Sequence, residues 1–156
     1  MIRLVVLDID GVLTTGEVLF DEDGRELKTL FFRDIDAVFE GRRRGLRVAL
    51  LSGEATPMVD VIARRLEVAD VYRGRHDKGD ALAVIADELD IPLQEICYVG
   101  DAPRDAPALR LAGLGLVPAD AAAAAREAAD HVLEHAAGRG AVSEAIELVL
   151  QANDAA

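Results

Sequence analysis

One cysteine, Cys97, is all the chain has, so no intramolecular disulfide can form and a reducing compartment is expected. Cys97 lies in the apolar run EICYVG, where a small buried residue is a better reading than a reactive thiol. Long apolar runs are missing as well: nothing approaches the ~18 residues that a membrane span needs. The first run is short and ends in two aspartates, unlike a secretion signal with its small-residue cleavage site, and a cytoplasmic location is expected. Positive charge is scarce. Against 29 Asp and Glu stand 17 Lys and Arg, giving a formal net charge of -12 and a pI of about 4.6. That overall field argues against non-specific binding to nucleic acid or to anionic membranes. No internal repeat is visible, and no linker is long enough to separate domains.

What the chain does have is apolar residues, 51% of its 156, with 29% charged. Such a sequence folds as one domain and buries roughly 70% of its unfolded surface. Short runs rich in Val, Leu and Ile (LVVLDI, LRVALLSG, EICYVGD, LGLV and DHVL) read as buried strands. Between them, TPMVDVIARRLE, GDALAVIADELD, RDAPALRLA and GAVSEAIELVLQ repeat apolar residues at helical spacings. The alternation predicts an α/β fold, a parallel sheet with helices on both faces. One piece differs: GEVLFDEDGRELKTLFF reads as two strands joined at Asp23-Gly24, a β-hairpin flap over residues 16–32 directly after the first strand. AAAAAR at 121–126 is a good helix former, and the tail 153–156 is expected to fray, leaving 1–152 as the domain.

Ligands of a parallel sheet bind beyond the carboxyl ends of its strands. There the sequence places Asp8 and Asp10, Ser52 and Gly53, and Gly100 and Asp101, all on one rim. LVVLDIDG is electrostatically awkward, a buried strand running into two carboxylates that share a face if the strand continues. A hard divalent cation such as Mg²⁺ takes one or two carboxylates plus waters and substrate phosphate, and it would relieve that repulsion. Asp8, Asp10 and Asp101 are the candidate ligands. With the cation present, Asp8 can attack phosphorus to give an aspartyl-phosphate. Asp10 would protonate the leaving alkoxide and then activate water. Ser52, the backbone amides at Gly53 and the cation of Lys78 would hold the phosphoryl oxygens.

Taken singly, each residue has a plainer reading. Aspartates after a strand form turns. Ser52 would cap the following helix, and Asp101 or Asp105 would favour the start of a helix with Pro103 in its first turn. Lys78 would be a solvated charge. His76, His131 and His135 have no metal-binding spacing and read as surface or turn residues. What favours the chemical reading is the joint occurrence of these residues, in this order, at the strand ends of one sheet.

Four motifs in that order resemble those of the haloacid dehalogenase-like phosphatase superfamily: DIDGVLT (8–14), LLSG (50–53), Lys78 and VGDAPRD (99–105). The resemblance runs nearly end to end and implies a Rossmann-like three-layer sandwich. It implies a Mg²⁺-dependent phosphatase with Asp8 as nucleophile and Asp10 as acid and base, Asp10 also offering its backbone carbonyl to the metal. Asp101 would be the remaining ligand, supported by Asp105. The hairpin, FRD (32–34), RHDK and AAGRGAVSE (136–144) are most similar to the small capless group that contains the 3-deoxy-D-manno-octulosonate 8-phosphate phosphatases. About 40 residues separate the first motif from Ser52 and about 25 separate Ser52 from Lys78, too few for a cap domain. In that group a homotetramer brings a neighbour's hairpin and C-terminal segment over the site, so a homotetramer is expected.

Some positions depart from the group. Thr15 stands where an Asp is usual, Glu54 and Ile62 where acidic-sugar phosphatases carry arginines, Ile35 where a glycine follows RD, and Ala102 and Arg104 within the fourth motif. Glu and Ile remove charge-assisted donors toward an acidic sugar. Arg33, Arg75 and Arg104 are the candidates to replace them, and Arg33 is carried as a substrate contact. The expected substrate is a small phosphorylated sugar or sugar acid, of the octulosonate 8-phosphate or nonulosonate 9-phosphate type. Two other readings compete: a binding module of the same fold with weak or lost turnover, and a phosphatase for macromolecular substrates, which a capless site admits.

Overall fold

A strand that is apolar on both faces must lie inside a sheet covered on both sides. The computed structural model, which describes residues 1–156, places β1 (Leu4–Leu7) there. Val5 and Leu7 pack into one core layer, Leu4 and Val6 into the other. β1 pairs in parallel with β4 (Arg47–Leu51) on one side and β6 (Ile96–Val99) on the other. With β5 (Asp70–Tyr72), β7 (Leu114–Val117) and β8 (His131–Val132), these form a six-stranded parallel sheet in the order β5-β4-β1-β6-β7-β8. Helices α1 (Phe32–Arg43), α2 (Pro57–Leu66) and α6 (Ala141–Asp154) cover the face that Val5 and Leu7 point to. Helices α3 (Lys78–Leu89), α4 (Ala106–Leu111) and α5 (Ala123–Ala128) cover the other. The result is three layers without a cap domain, and no helix is long and apolar enough to cross a membrane.

The hairpin is present with shorter strands than the sequence suggests, β2 (Leu19–Phe20) and β3 (Glu26–Leu27), paired antiparallel. Its turn is wider than a two-residue connection. The Asp21 carboxylate accepts from the N–H groups of Asp23 and Arg25, both at 2.9 Å, and Gly24 takes the left-handed φ of 79°. β5 was not legible as a strand, since three half-buried residues at a sheet edge leave no apolar run. At the tail, where fraying is expected from residue 153, α6 continues to Asp154. Asn153 clamps the residue before β1, accepting from Ile2 N–H and donating to Ile2 O, both at 2.8 Å, while Asp154 pairs with Arg44 at 2.6 Å.

The FRD and GRGAVSE stretches, far apart in sequence, meet through one carboxylate. Asp34 in the first turn of α1 is buried and accepts from the backbone N–H of Ser143 at 2.9 Å and of Gly140 at 3.4 Å. It thus caps α6 from across the layer. Asp34→Ala leaves those amides unpaired and is expected to lower stability by about 1–2 kcal/mol, measured as a fall in denaturation midpoint with an unchanged denaturant slope.

Candidate active site

The site forms where β1 stops. Asp8 still donates its N–H to Val99 O at 3.0 Å, so its side chain keeps the strand's alternation and falls on the α3 side. The chain then makes a wide turn over Ile9–Leu13, closed by the Thr14 N–H on Ile9 O at 3.1 Å, with Gly11 at a φ of 80°. Gly11 is required for a second reason: a β-carbon there would lie 1.9 Å from Asp101 Oδ2. Asp101, just past the tip of β6, is therefore pressed against the bare backbone after β1.

Lys78 is the first residue of α3, whose start is fixed by Asp77 accepting the Asp80 N–H at 3.0 Å. Its ammonium is 0% exposed, 3.3 Å from Asp8 Oδ1 and 3.2 Å from Asp105 Oδ1. It is not the solvated charge of the plainer reading. Asp105, also 0% exposed, uses both oxygens: Oδ2 accepts from Asp101 and Ala102 N–H, each at 2.9 Å, and Oδ1 accepts from Tyr98 O–H at 2.5 Å. Asp8 is 4% exposed and accepts from Ile9 N–H at 2.8 Å.

Burial decides how these acids titrate. It pushes the Asp8 carboxyl up to about 8, Lys78 pulling against it while the charges of Asp105 and Asp101 add to it. Burial and Asp105 raise Asp101 to about 6. Asp105 suffers the same desolvation, yet Lys78, Tyr98 and two backbone amides outweigh it and hold it below the usual carboxylate range. Oxygens of Asp8, Asp101 and Asp105 lie within 4.8 Å of one another, and Asp101 Oδ1 is buried with no hydrogen-bond partner. Hard oxygen donors crowded together, one of them orphaned, suit a small divalent cation.

The Asp10 carboxylate is not in that cluster. Once the strand gives way to the turn, the shared face disappears, and Asp10 Oδ1 accepts from Lys28 Nζ at 2.7 Å and Thr14 Oγ1 at 3.3 Å. Lys28, at the end of the hairpin, also reaches Glu54 at 3.4 Å. Burial alone would lower its pKa, but Asp10 and Glu54 raise it and hold the ammonium charged. Ser52 does not cap α2, which begins after Thr56; its Oγ accepts from Glu54 N–H at 3.1 Å. The Gly53 N–H is used by no hydrogen bond within the chain. Arg33 is not brought to these residues. It lies over Phe31 and lines a groove of about 400 Å³ between α1 and α6, because FRD faces the Asp34 cap. Sequence reasoning missed Lys28, for which an ordinary flap lysine gives no signal, and Tyr98, hidden in an apolar strand. Cys97 is buried, and burial pushes its thiol well up, away from reactivity.

The profile of the family described as haloacid dehalogenase-like hydrolase matches residues 49–146. The chain belongs to that family. Over 151 residues it is 34% identical to the 3-deoxy-D-manno-octulosonate 8-phosphate phosphatase of Salmonella typhi, an overlap of 97% of this chain and 80% of that one. The crystal structure of the phosphatase of that name from Moraxella catarrhalis, in complex with magnesium, phosphate and a KDO molecule, matches with a TM-score of 0.93 at 31% identity, over 97% and 87% of the two chains. The cobalt-bound form from Haemophilus influenzae matches with a TM-score of 0.91 at 30% identity, over 97% and 88%. Within the family the chain falls among the capless phosphatases, and it is an enzyme.

The raised carboxyls set a pH dependence. The metal-free folded protein keeps protons that the unfolded chain releases from about pH 4, on Asp101 up to about pH 6 and on Asp8 up to about pH 8, so stability falls as pH rises through this window. Thermal melts in chelator should show a lower Tm at pH 8 than at pH 5.5, and Asp8→Asn should flatten the slope.

Proposed function

We propose that the chain is a Mg²⁺-dependent phosphomonoester hydrolase that acts through an aspartyl-phosphate on a small phosphorylated sugar acid, of the 3-deoxy-D-manno-octulosonate 8-phosphate type its relatives are named for, in the cytoplasm. The observation that carries this is the buried Asp8, held beside the Lys78 ammonium and next to an Asp101 oxygen with no partner. Asp8 and Asp101 would hold the ion together with the Asp10 backbone carbonyl. When bound, it neutralises the crowded carboxylates and draws charge from the phosphoryl oxygens.

The rest is work for side chains. Lys78 and the Gly53 N–H orient the phosphoryl group, with Ser52 Oγ as a further donor. Asp8 attacks phosphorus and the bond to the substrate oxygen breaks, Asp10 handing its proton to the departing alkoxide. Asp10, now a carboxylate, takes a proton from the water that attacks phosphorus, the Asp8–phosphorus bond breaks, and inorganic phosphate leaves. The environments suit the roles: Asp8 is sealed from water, whereas the Asp10 side chain is 30% exposed to it. Retaining both groups argues against a pure binding module.

Purified protein should release phosphate from an aryl phosphate and from 3-deoxy-D-manno-octulosonate 8-phosphate with Mg²⁺ and not in chelator. Asp8→Asn should reduce turnover by at least about a thousandfold while the fold is kept by circular dichroism. Absence of turnover in the wild type across sugar phosphates would overturn the reading.

The assembly we expect is a homotetramer. Its support is the apolar surface of the hairpin, where Val18, Leu19, Phe20 and Leu27 are exposed, together with the exposed Phe32 at the start of α1. Light scattering at micromolar concentration should give four times the chain mass, and Phe20→Glu should lower it.

A further inference from the structure

Gly53, next to the phosphate-binding Ser52, is overhung by two side chains that the chemistry above does not use. A β-carbon at Gly53 would lie 3.6 Å from the Arg104 guanidinium carbon and 3.5 Å from His76 Nδ1. Neither residue makes an ion pair or a side-chain hydrogen bond within the chain.

Both side chains are delivered by fixed backbone. Arg104 sits in the turn Pro103–Asp105, pinned on the Asp105 side by the two amides and the tyrosine already described. His76 belongs to the loop before α3, strapped to the Ser52 segment by Gly74 N–H on Glu54 O at 3.0 Å and Arg75 N–H on Ser52 O at 3.1 Å. Arg104 also lies close enough to Asp101 for its charge to pull that carboxyl down. It therefore spans the lip from the acidic cluster to the phosphate loop. The opposite lip is already compensated, since Glu54 is paired with Lys28.

We infer that Arg104, with His76 beside it, is a recognition site for a second anionic group of the substrate, a carboxylate carried on the same small molecule as the scissile phosphate. The guanidinium fork suits a carboxylate, and the absence of a side chain at Gly53 leaves the approach open. This rests on the phosphatase reading and assigns the substrate's charge, taking over at another position the role that Glu54 and Ile62 cannot fill.

The test compares acids with alcohols of equal length: 3-phosphoglycerate with glycerol 3-phosphate, 4-phosphoerythronate with erythritol 4-phosphate, and 6-phosphogluconate with glucitol 6-phosphate. The wild type should prefer at least one acid by kcat/KM. Arg104→Met should cut that acid-to-alcohol ratio about tenfold or more through KM, and Arg104→Lys should retain part of it. No preference for any acid in the wild type, or a loss equal on both members of a pair, would overturn the inference. If even an aryl phosphate is not turned over, the phosphatase reading fails by itself. The same ratio is then read from Mg²⁺-dependent thermal shifts with these compounds, and a preference abolished in Arg104→Met still supports the carboxylate site.

Discussion

Lys78 carries its charge with no solvent contact, which is tolerable only because Asp8 and Asp105 stand within 3.3 Å of it. Burying an ammonium alone costs several kcal/mol, and so does burying either carboxylate. The three groups are therefore interdependent: Lys78 and Asp105 are buried as a charged pair that neither could form alone, and Asp8, which keeps its proton near neutral pH without metal, completes the contacts of the ammonium. Because each comes from a different element (β1, the start of α3 and the turn after β6), their mutual need fixes the relative placement of three segments at the rim. The site geometry is in this sense a by-product of charge neutralisation in a dry place.

The same rim gives two aspartates, two residues apart, opposite surroundings. Asp8 inherits the direction of a strand whose every side chain is buried; Asp10, past the turn, opens toward the hairpin and meets Lys28. The division of labour we propose for them follows from where the strand ends rather than from the acids themselves. Environments that push like groups apart are how one small domain obtains both a nucleophile and a proton carrier.

Much of this was legible in the sequence, and the limits have physical causes. Runs such as LVVL and ICYV announce a doubly covered parallel sheet because both faces must be apolar, and the residues after them mark the rim. The three-residue β5 leaves too little pattern to measure, whereas DHVL already marked the two-residue β8. The expectation that Asp8 and Asp10 share a face assumed continued extension, which the left-handed Gly11 ends. Arg33 looked available because FRD is polar, but the burial of its neighbour Asp34 turns that stretch toward α6. Pairings such as Lys28 with Asp10 are long-range and depend on where a flap lies, which local spacing does not encode. The tail, short and polar, looked free until Asn153 found Ile2.

The contact between Gly11 and Asp101 has a further consequence. With main chain packed against its carboxylate, Asp101 has few rotamers left to choose from. Its disorder is surrendered once, as the chain folds, and not at each arrival of a ligand. A solvent-facing aspartate of the same charge would grip more weakly for that reason alone, so part of the affinity that the proposed metal site needs is written into a residue that has no side chain at all.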